Sequence, residues 1–157
     1  MQIDRYDRHI LGLLQNSGRL SNQDLAERIG LSASPCLRRV KALEDAGIIV
    51  GYQAQLNARA LGYTLNALIH ISMDRHTPER FAHFEAQIAD IPEITECLLI
   101  TGQSADYQLR AVVHDMDAYQ ALLLDKVTRI EGVTGVHSSF VLRAVKSSGG
   151  VPIDLHA

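Results

Sequence analysis

The run Ser32-Ala33-Ser34-Pro35-Cys36-Leu37-Arg38-Arg39-Val40-Lys41-Ala42-Leu43-Glu44 carries two patterns at once. Advancing by about 100° per residue, Cys36, Val40 and Leu43 fall on one side of a helix, with Leu37 flanking them. Ser34, Arg38, Lys41 and Asp45 fall on the other side, with Arg39 at the border. Ser32 is placed to cap this helix, Pro35 falls in its first turn where no intrahelical N–H is lost, and Gly47 ends it after about Ala46. Upstream, Ser21 caps a second helix with Asp24 three residues on, a short-armed capping box, and Gly30 stops it after Leu25, Ala26 and Ile29. A first helix spans Asp7 to Gln15, with Ile10, Leu11, Leu13 and Leu14 on one face. Downstream, the β-branched stretch from Ile48 to Ala54 reads as a strand or the first arm of a small wing. Helix, helix, tight turn, helix and wing form the order of a winged helix-turn-helix. Basic faces on helices are usually just solvated; the preceding capped helix, the Gly30-Leu31 turn and the wing favour a helix that enters a major groove.

Length and composition bound the rest. The chain has 157 residues, 46% hydrophobic, with a formal net charge of -3, which suits one medium domain or two small ones. Nothing approaches the roughly 18 uninterrupted apolar residues of a membrane span. The start, Met1-Gln2-Ile3-Asp4-Arg5, lacks an apolar secretory region, and Cys36 and Cys97 match no C-x-x-C pattern; a reduced, cytoplasmic protein with no membrane partner is expected. The charge is uneven, +1 over residues 1–52 and -4 over residues 53–157, which suggests two modules with different partners.

From about Leu61 the period changes. Leu65, Ala67, Ile69, Ile71 and Met73 alternate with polar neighbours in a strand. Thr77-Pro78 opens a helix bearing Phe81, Phe84 and Ile88. Strands are expected from Ile94 to Thr101 and from Tyr107 to Val113. Asp115 or Asp117 caps a further helix with Met116, Tyr119, Leu123, Val127 and Ile130 on one stripe, and Val136, Ser138, Phe140, Leu142 and Ala144 mark a last strand. The sum is β-α-β-β-α-β, the ferredoxin-like order, so the fold class is α+β. The expected organisation is a winged helix-turn-helix over 1–52, a linker strand over 53–61, a ferredoxin-like domain over 62–146 and a tail over 147–157. Ser147 to Gly150 is read as a flexible link to the apolar Val151-Pro152-Ile153.

The two modules together resemble the Lrp/AsnC (feast/famine) family of transcription regulators. The resemblance rests on Asp7-Arg8-His9-Ile10-Leu11, Asn16-Ser17-Gly18-Arg19, the run from Leu25 to Ser32, and above all Ser34-Pro35-Cys36-Leu37-Arg38-Arg39-Val40. It covers residue 3 to about 153, and the second module resembles the family's ACT-like regulatory domain. What it implies is double-stranded DNA met by Ser32, Ser34, Pro35, Arg38, Arg39 and Lys41, with Cys36, Val40 and Leu43 anchoring the helix. It also implies homo-oligomers, dimers that commonly assemble to octamers, and a small effector, usually an amino acid, near a Gly-x-x-Asp-Tyr turn. Here that turn is Gly102-Gln103-Ser104-Ala105-Asp106-Tyr107, one residue longer, so Gly102, Gln103, Ser104, Asp106 and Tyr107 are the candidate effector residues.

The turn has a physical logic of its own. Glycine lets successive amides converge on an anion, and Asp106 offers a partner to an ammonium. Gly and Asp also build plain hairpin turns with a solvated carboxylate. The seven histidines show no metal-ligand spacing with Cys or carboxylates, both cysteines read as buried small hydrophobes, and no phosphate loop or nucleophile elbow is present; no cofactor and no catalytic residue is expected. The same two-module architecture is also resembled by sirohaem decarboxylases, so an enzyme is the rival reading. A third is an effector-binding module with a vestigial DNA-binding domain.

Overall fold

A computed structural model describes residues 2–102, 104–146 and 150–154. By its contacts the chain divides into two compact units, one formed by Met1–Gln55 with Lys146–Ala157 and the other by Leu56–Val145.

In the first unit α1 (Arg5–Asn16), α2 (Asn22–Ile29) and α3 (Ala33–Asp45) enclose a small apolar centre. Ile10, Leu25, Ala26, Ile29, Cys36 and Leu43 are buried, and Leu13, Leu14, Leu31, Val40, Ile48 and Ile49 pack against them. Each fully buried side chain of the larger apolar type stabilises by about 1.5–3 kcal/mol. The expected Ser21–Asp24 capping box is present, and Gly30 closes α2 at φ 71°, a left-handed conformation that suits glycine. Another capping box, Asp4 with Asp7, starts α1 at Arg5, ahead of the expected Asp7. Ser32 stands at the N-cap of α3 but its hydroxyl makes no capping bond.

The wing does not form as a strand. Among the described residues 46–64 no ladder exists. The Ile48 and Ile49 amides donate instead to the Leu43 carbonyl at 2.9 and 3.1 Å, and the Tyr52 hydroxyl donates to Glu44 at 2.9 Å. The two isoleucines therefore complete the helical core, and the expected linker strand is irregular chain with a 3-10 turn at Arg59–Leu61. A strand needs a paired edge, and no described residue offers these one. The tail residues 150–154 lie against α1: the Gln15 carboxamide donates to the Val151 carbonyl at 2.9 Å and accepts from the Val151 amide at 3.0 Å. The expected flexible link, apart from Gly150, lies outside the described residues.

The second unit is a four-stranded antiparallel sheet in the order β2-β3-β1-β4, built from β1 (Leu65–Met73), β2 (Ile94–Leu99), β3 (Tyr107–Val113) and β4 (Val133–Phe140). Ala67, Ile69, Ile71 and Met73 of β1 and Tyr107, Leu109, Ala111 and Val113 of β3 point to one face. That face receives Phe84 and Ile88 of α4 (Pro78–Ala89) and Tyr119 of α5 (Met116–Ala121). This is the ferredoxin-like arrangement. Thr77 caps α4 and Asp115, not Asp117, caps α5.

Four expectations shift here. Beyond α5 a π turn over Leu122–Lys126 adds about a residue per turn, so Leu122 and Val127, five apart, are fully buried while Leu123 is only partly covered; Met116, at the start of α5 and ahead of that turn, is exposed. β4 ends at Phe140, leaving Leu142 exposed, and β2 ends at Leu99. Cys36 is buried as expected, but Cys97 is exposed on the edge strand β2.

Candidate functional site

The first candidate surface is the outer face of α3. Cys36 and Leu43, both at 0% exposure, fix its inner face, and the Asn22 side chain donates to the Ala33 carbonyl at 2.8 Å, tying the starts of α2 and α3 together. Outward stand Ser32, Ser34, Arg38 and Lys41, all exposed, with Pro35 half-buried. Neither Arg38 nor Lys41 is engaged by any described residue, so both cations are free to meet an anion. Arg39 is different. Its Nη1 lies 2.8 Å from Asp4 and 2.8 Å from Asp7, and its guanidinium stacks over the Tyr6 ring at 5.3 Å. Two carboxylates hold the guanidinium proton more tightly than usual, the Asp7 hydrogen bond contributing most. The Asp7 amide and the Arg39 charge hold the Asp4 carboxyl below its ordinary value. Asp7, 2% exposed, is the buried charge that the sequence pattern did not single out; the spacing Asp4-x-x-Asp7 was its signal.

The second surface is the turn from Gly102 to Tyr107, between β2 and β3. Gly102 does not adopt a left-handed conformation, and a Cβ added there would meet open space, so its expected conformational role is not used. Gln103 lies outside the described residues. The Ser104 carbonyl accepts from the Ser72 hydroxyl at 3.4 Å. Asp106 faces inward: one oxygen accepts from the Met73 amide at 2.7 Å and the other lies 2.7 Å from His76 Nε2. Its backbone continues the pairing, with the Asp106 amide donating to Ile71 and its carbonyl accepting from Ile100, both at 2.8 Å. Asp106 thus fastens the turn to the end of β1 and is not a solvated carboxylate. Tyr107 is core, 1% exposed, packed on Phe81 and Phe84 with its hydroxyl donating to Glu85 at 2.7 Å. Burial, then that hydrogen bond, pushes its phenol far above the usual range.

Among the described residues no three His, Cys, Asp or Glu side chains converge as a metal site, and no helix is long and apolar enough to cross a membrane. On β2, desolvation followed by the charge of Glu85 pushes the Cys97 thiol up to about 11, which keeps it a thiol at neutral pH.

A helix-turn-helix with a free cationic outer face, joined to a ferredoxin-like domain, defines a two-module DNA-binding protein. The comparisons agree. Residues 3–50 match the model of a winged helix-turn-helix DNA-binding domain, and residues 66–151 match that of the Lrp/AsnC ligand binding domain. The chain belongs to the Lrp/AsnC family and is a DNA-binding transcriptional regulator with a ligand-binding domain. It is 41% identical to the Bkd operon transcriptional regulator of Pseudomonas aeruginosa, over 97% of this chain and 99% of that one. It is 42% identical to the leucine-responsive regulatory protein of Salmonella typhimurium, over 96% of this chain and 92% of that one. Among solved structures, a Neisseria meningitidis transcriptional regulator in complex with L-Met superposes with a TM-score of 0.93 at 40% identity, covering 98% of each chain. An AsnC family regulator from Agrobacterium tumefaciens gives 0.90 at 32% identity, over 98% of this chain and 99% of that one.

Proposed function

We propose that α3 enters the major groove of its operator with Ser34 and Arg38 leading, that Lys41 reaches a flanking phosphate, and that Ser32 and Pro35 approach the phosphates at the helix start. Arg and Lys match guanine acceptors and phosphate oxygens. The observation that carries this is the contrast between neighbours: Arg38 and Lys41 are unpaired and exposed, while Arg39 is spent on Asp4 and Asp7. Arg39 then acts as a positioning residue that sets the angle of α3 against α1. Paired helices one DNA turn apart need half-sites about 10 bp apart, which fits a homo-oligomer built from dimers, up to an octamer. Exposed Leu98, Leu99, Leu142 and Val145 on the second unit supply apolar surface for such assembly. The protein works in the cytoplasm, where its operator is.

The ligand is proposed to be an amino acid, held at the turn of Gly102, Gln103, Ser104, Asp106 and Tyr107. The L-Met complex of the Neisseria meningitidis relative supports that class. Asp106, anchored on Met73 and His76, and Tyr107, anchored on Glu85, shape the turn, and Gly102 and Ser104 offer backbone groups to the ligand. The ligand shifts DNA affinity only by its differential affinity for two assemblies, typically 1–3 kcal/mol of coupling. We assign the protein no catalytic role, since no observation favours the decarboxylase reading. The test is thermal melting against each of the twenty amino acids at millimolar concentration. A ligand at a hundred times its Kd stabilises by about 2.7 kcal/mol. A shift for one chemical class supports the assignment, and no shift for any overturns it.

A further inference from the structure

The loop between β1 and α4 carries one side chain that meets the ligand turn from outside it. His76 stands there with Nε2 2.7 Å from Asp106 Oδ1 and its ring 5.9 Å from that of Phe81. Loop and turn are fastened to the same strand end. The Asp106 carboxylate accepts from the Met73 amide at 2.7 Å, and the Ser104 carbonyl accepts from the Ser72 hydroxyl at 3.4 Å. These two residues of β1 bring the turn to the root of the loop that holds His76.

Donors and acceptors decide what the pair can offer. A carboxylate only accepts, so Nε2, the His76 nitrogen that meets it, carries the proton, and in the neutral ring Nδ1 keeps its lone pair. No described residue engages Nδ1. Each Asp106 oxygen already accepts a bond from the fold, Oδ2 from Met73 and Oδ1 from His76. A free amino acid brings a carboxylate, which the N–H groups of a turn can answer, and an ammonium, which needs an acceptor. The His76 side chain is 67% exposed and the Asp106 side chain 21%, so the imidazole is the acceptor that stands outward. A carboxylate behind an imidazole fixes its orientation and makes its free nitrogen more basic.

We propose that His76 reads the ammonium group of the ligand: Asp106 positions the ring, and Nδ1 of the neutral imidazole accepts from the α-ammonium of the bound amino acid. This rests on the amino-acid reading of the turn. Its consequence is a proton switch. Protonation turns Nδ1 into a donor and sets two cations together, so the site loses affinity over the pH range in which imidazoles charge. The other charged and titratable groups on the surrounding elements are Asp74 and Arg75 on the same loop, Arg80, His83 and Glu85 on α4, Tyr107 beside Asp106, and Glu131 ahead of β4. Arg80 is held by Asp74 and Glu131, Arg75 and His83 act on the Glu131 charge, and the Tyr107 hydroxyl donates to Glu85. Asp106 is thus the charged group that the imidazole touches among the described residues.

The test titrates the twenty L-amino acids into the 157-residue chain by calorimetry at about pH 7.5 and about pH 5.5. The strongest binder is then compared with its deamino analogue, which keeps the carboxylate and side chain and loses the ammonium. The parent is expected to bind the amino acid about tenfold more tightly at the higher pH. His76→Ala weakens that binding by about tenfold, removes its pH dependence, and binds the deamino analogue as the parent does. His76→Gln has an amide that donates to Asp106 and accepts from the ammonium without titrating, so it recovers most of the affinity and stays flat with pH. His76 is exposed in a loop, and ligand-free melting like that of the parent checks that both variants keep the fold. Binding indifferent to His76→Ala, or a parent-like pH dependence in His76→Gln, overturns the proposal and leaves the amino-acid reading standing. Binding of none of the twenty by the parent overturns both.

Discussion

Asp7 Oδ1 lies 2.8 Å from Arg39 Nη1, joining a carboxylate buried in α1 to a guanidinium on the border of α3. The pair engages one of the two adjacent arginines within the fold and leaves Arg38 outside it. It also makes the orientation of α3 depend on one charge in α1.

Arg39→Ala leaves the Asp7 carboxylate buried with its strongest partner gone. The expected cost is about 1.5–3 kcal/mol, the net worth of a hydrogen bond to a charged group, read as a lower urea midpoint of the helical unit. Arg38→Ala, one residue away, leaves that midpoint unchanged, because Arg38 is exposed and unpaired.

Lys41→Ala weakens binding to operator and unrelated DNA by similar factors. The slope of log K against log salt falls by about one, as expected for the loss of one phosphate contact. Titrations at several salt concentrations measure it.

Acid weakens the first unit through Asp4. Its folded-state pKa is depressed below the ordinary 3.8, so its contribution is fully present above that value and is lost as pH falls through the folded value. Melting curves between about pH 5 and pH 2.5 follow this loss, and Asp4→Asn flattens that limb of the profile.

Gly132 adopts φ 98°, and a Cβ there would approach Arg80 Cδ to 2.6 Å and Asp74 Oδ1 to 3.1 Å. Arg80 is held by Asp74 at 3.1 Å and Glu131 at 2.9 Å and has little room to yield. Gly132→Ala therefore destabilises the sheet domain by more than about 1 kcal/mol, measured by thermal or urea unfolding.

The helices and their caps were legible because their signals are local: Ser21 with Asp24, Gly30, and Thr77-Pro78 each act within four residues. Strand pattern was equally local, and Ala67, Ile69 and Ile71 are as buried as their alternation required. Features set by distant partners were not legible. Ile48 and Ile49 have strand composition, yet they are captured by the Leu43 carbonyl and the helical core. Arg39 and Arg38 are adjacent and chemically alike, and the pairing that sets them apart comes from Asp4 and Asp7, more than 30 residues away in α1 and its cap. Asp106 was equally available to an ammonium or to its own fold; the Met73 amide and His76 take it. The π turn at Leu122–Lys126 moved the buried position from Leu123 to Leu122, which no composition signal announces.

The placement of α3 in the groove is tested most directly by the affinity of the 157-residue chain and of Arg38→Ala for an operator fragment selected from genomic DNA, by fluorescence anisotropy at one fixed salt concentration. Arg38→Ala is expected to melt like the parent and to lose about 1–3 kcal/mol of specific affinity, roughly fivefold to a hundredfold or more. A variant that binds the operator as tightly as the parent would contradict the placement of α3 in the groove.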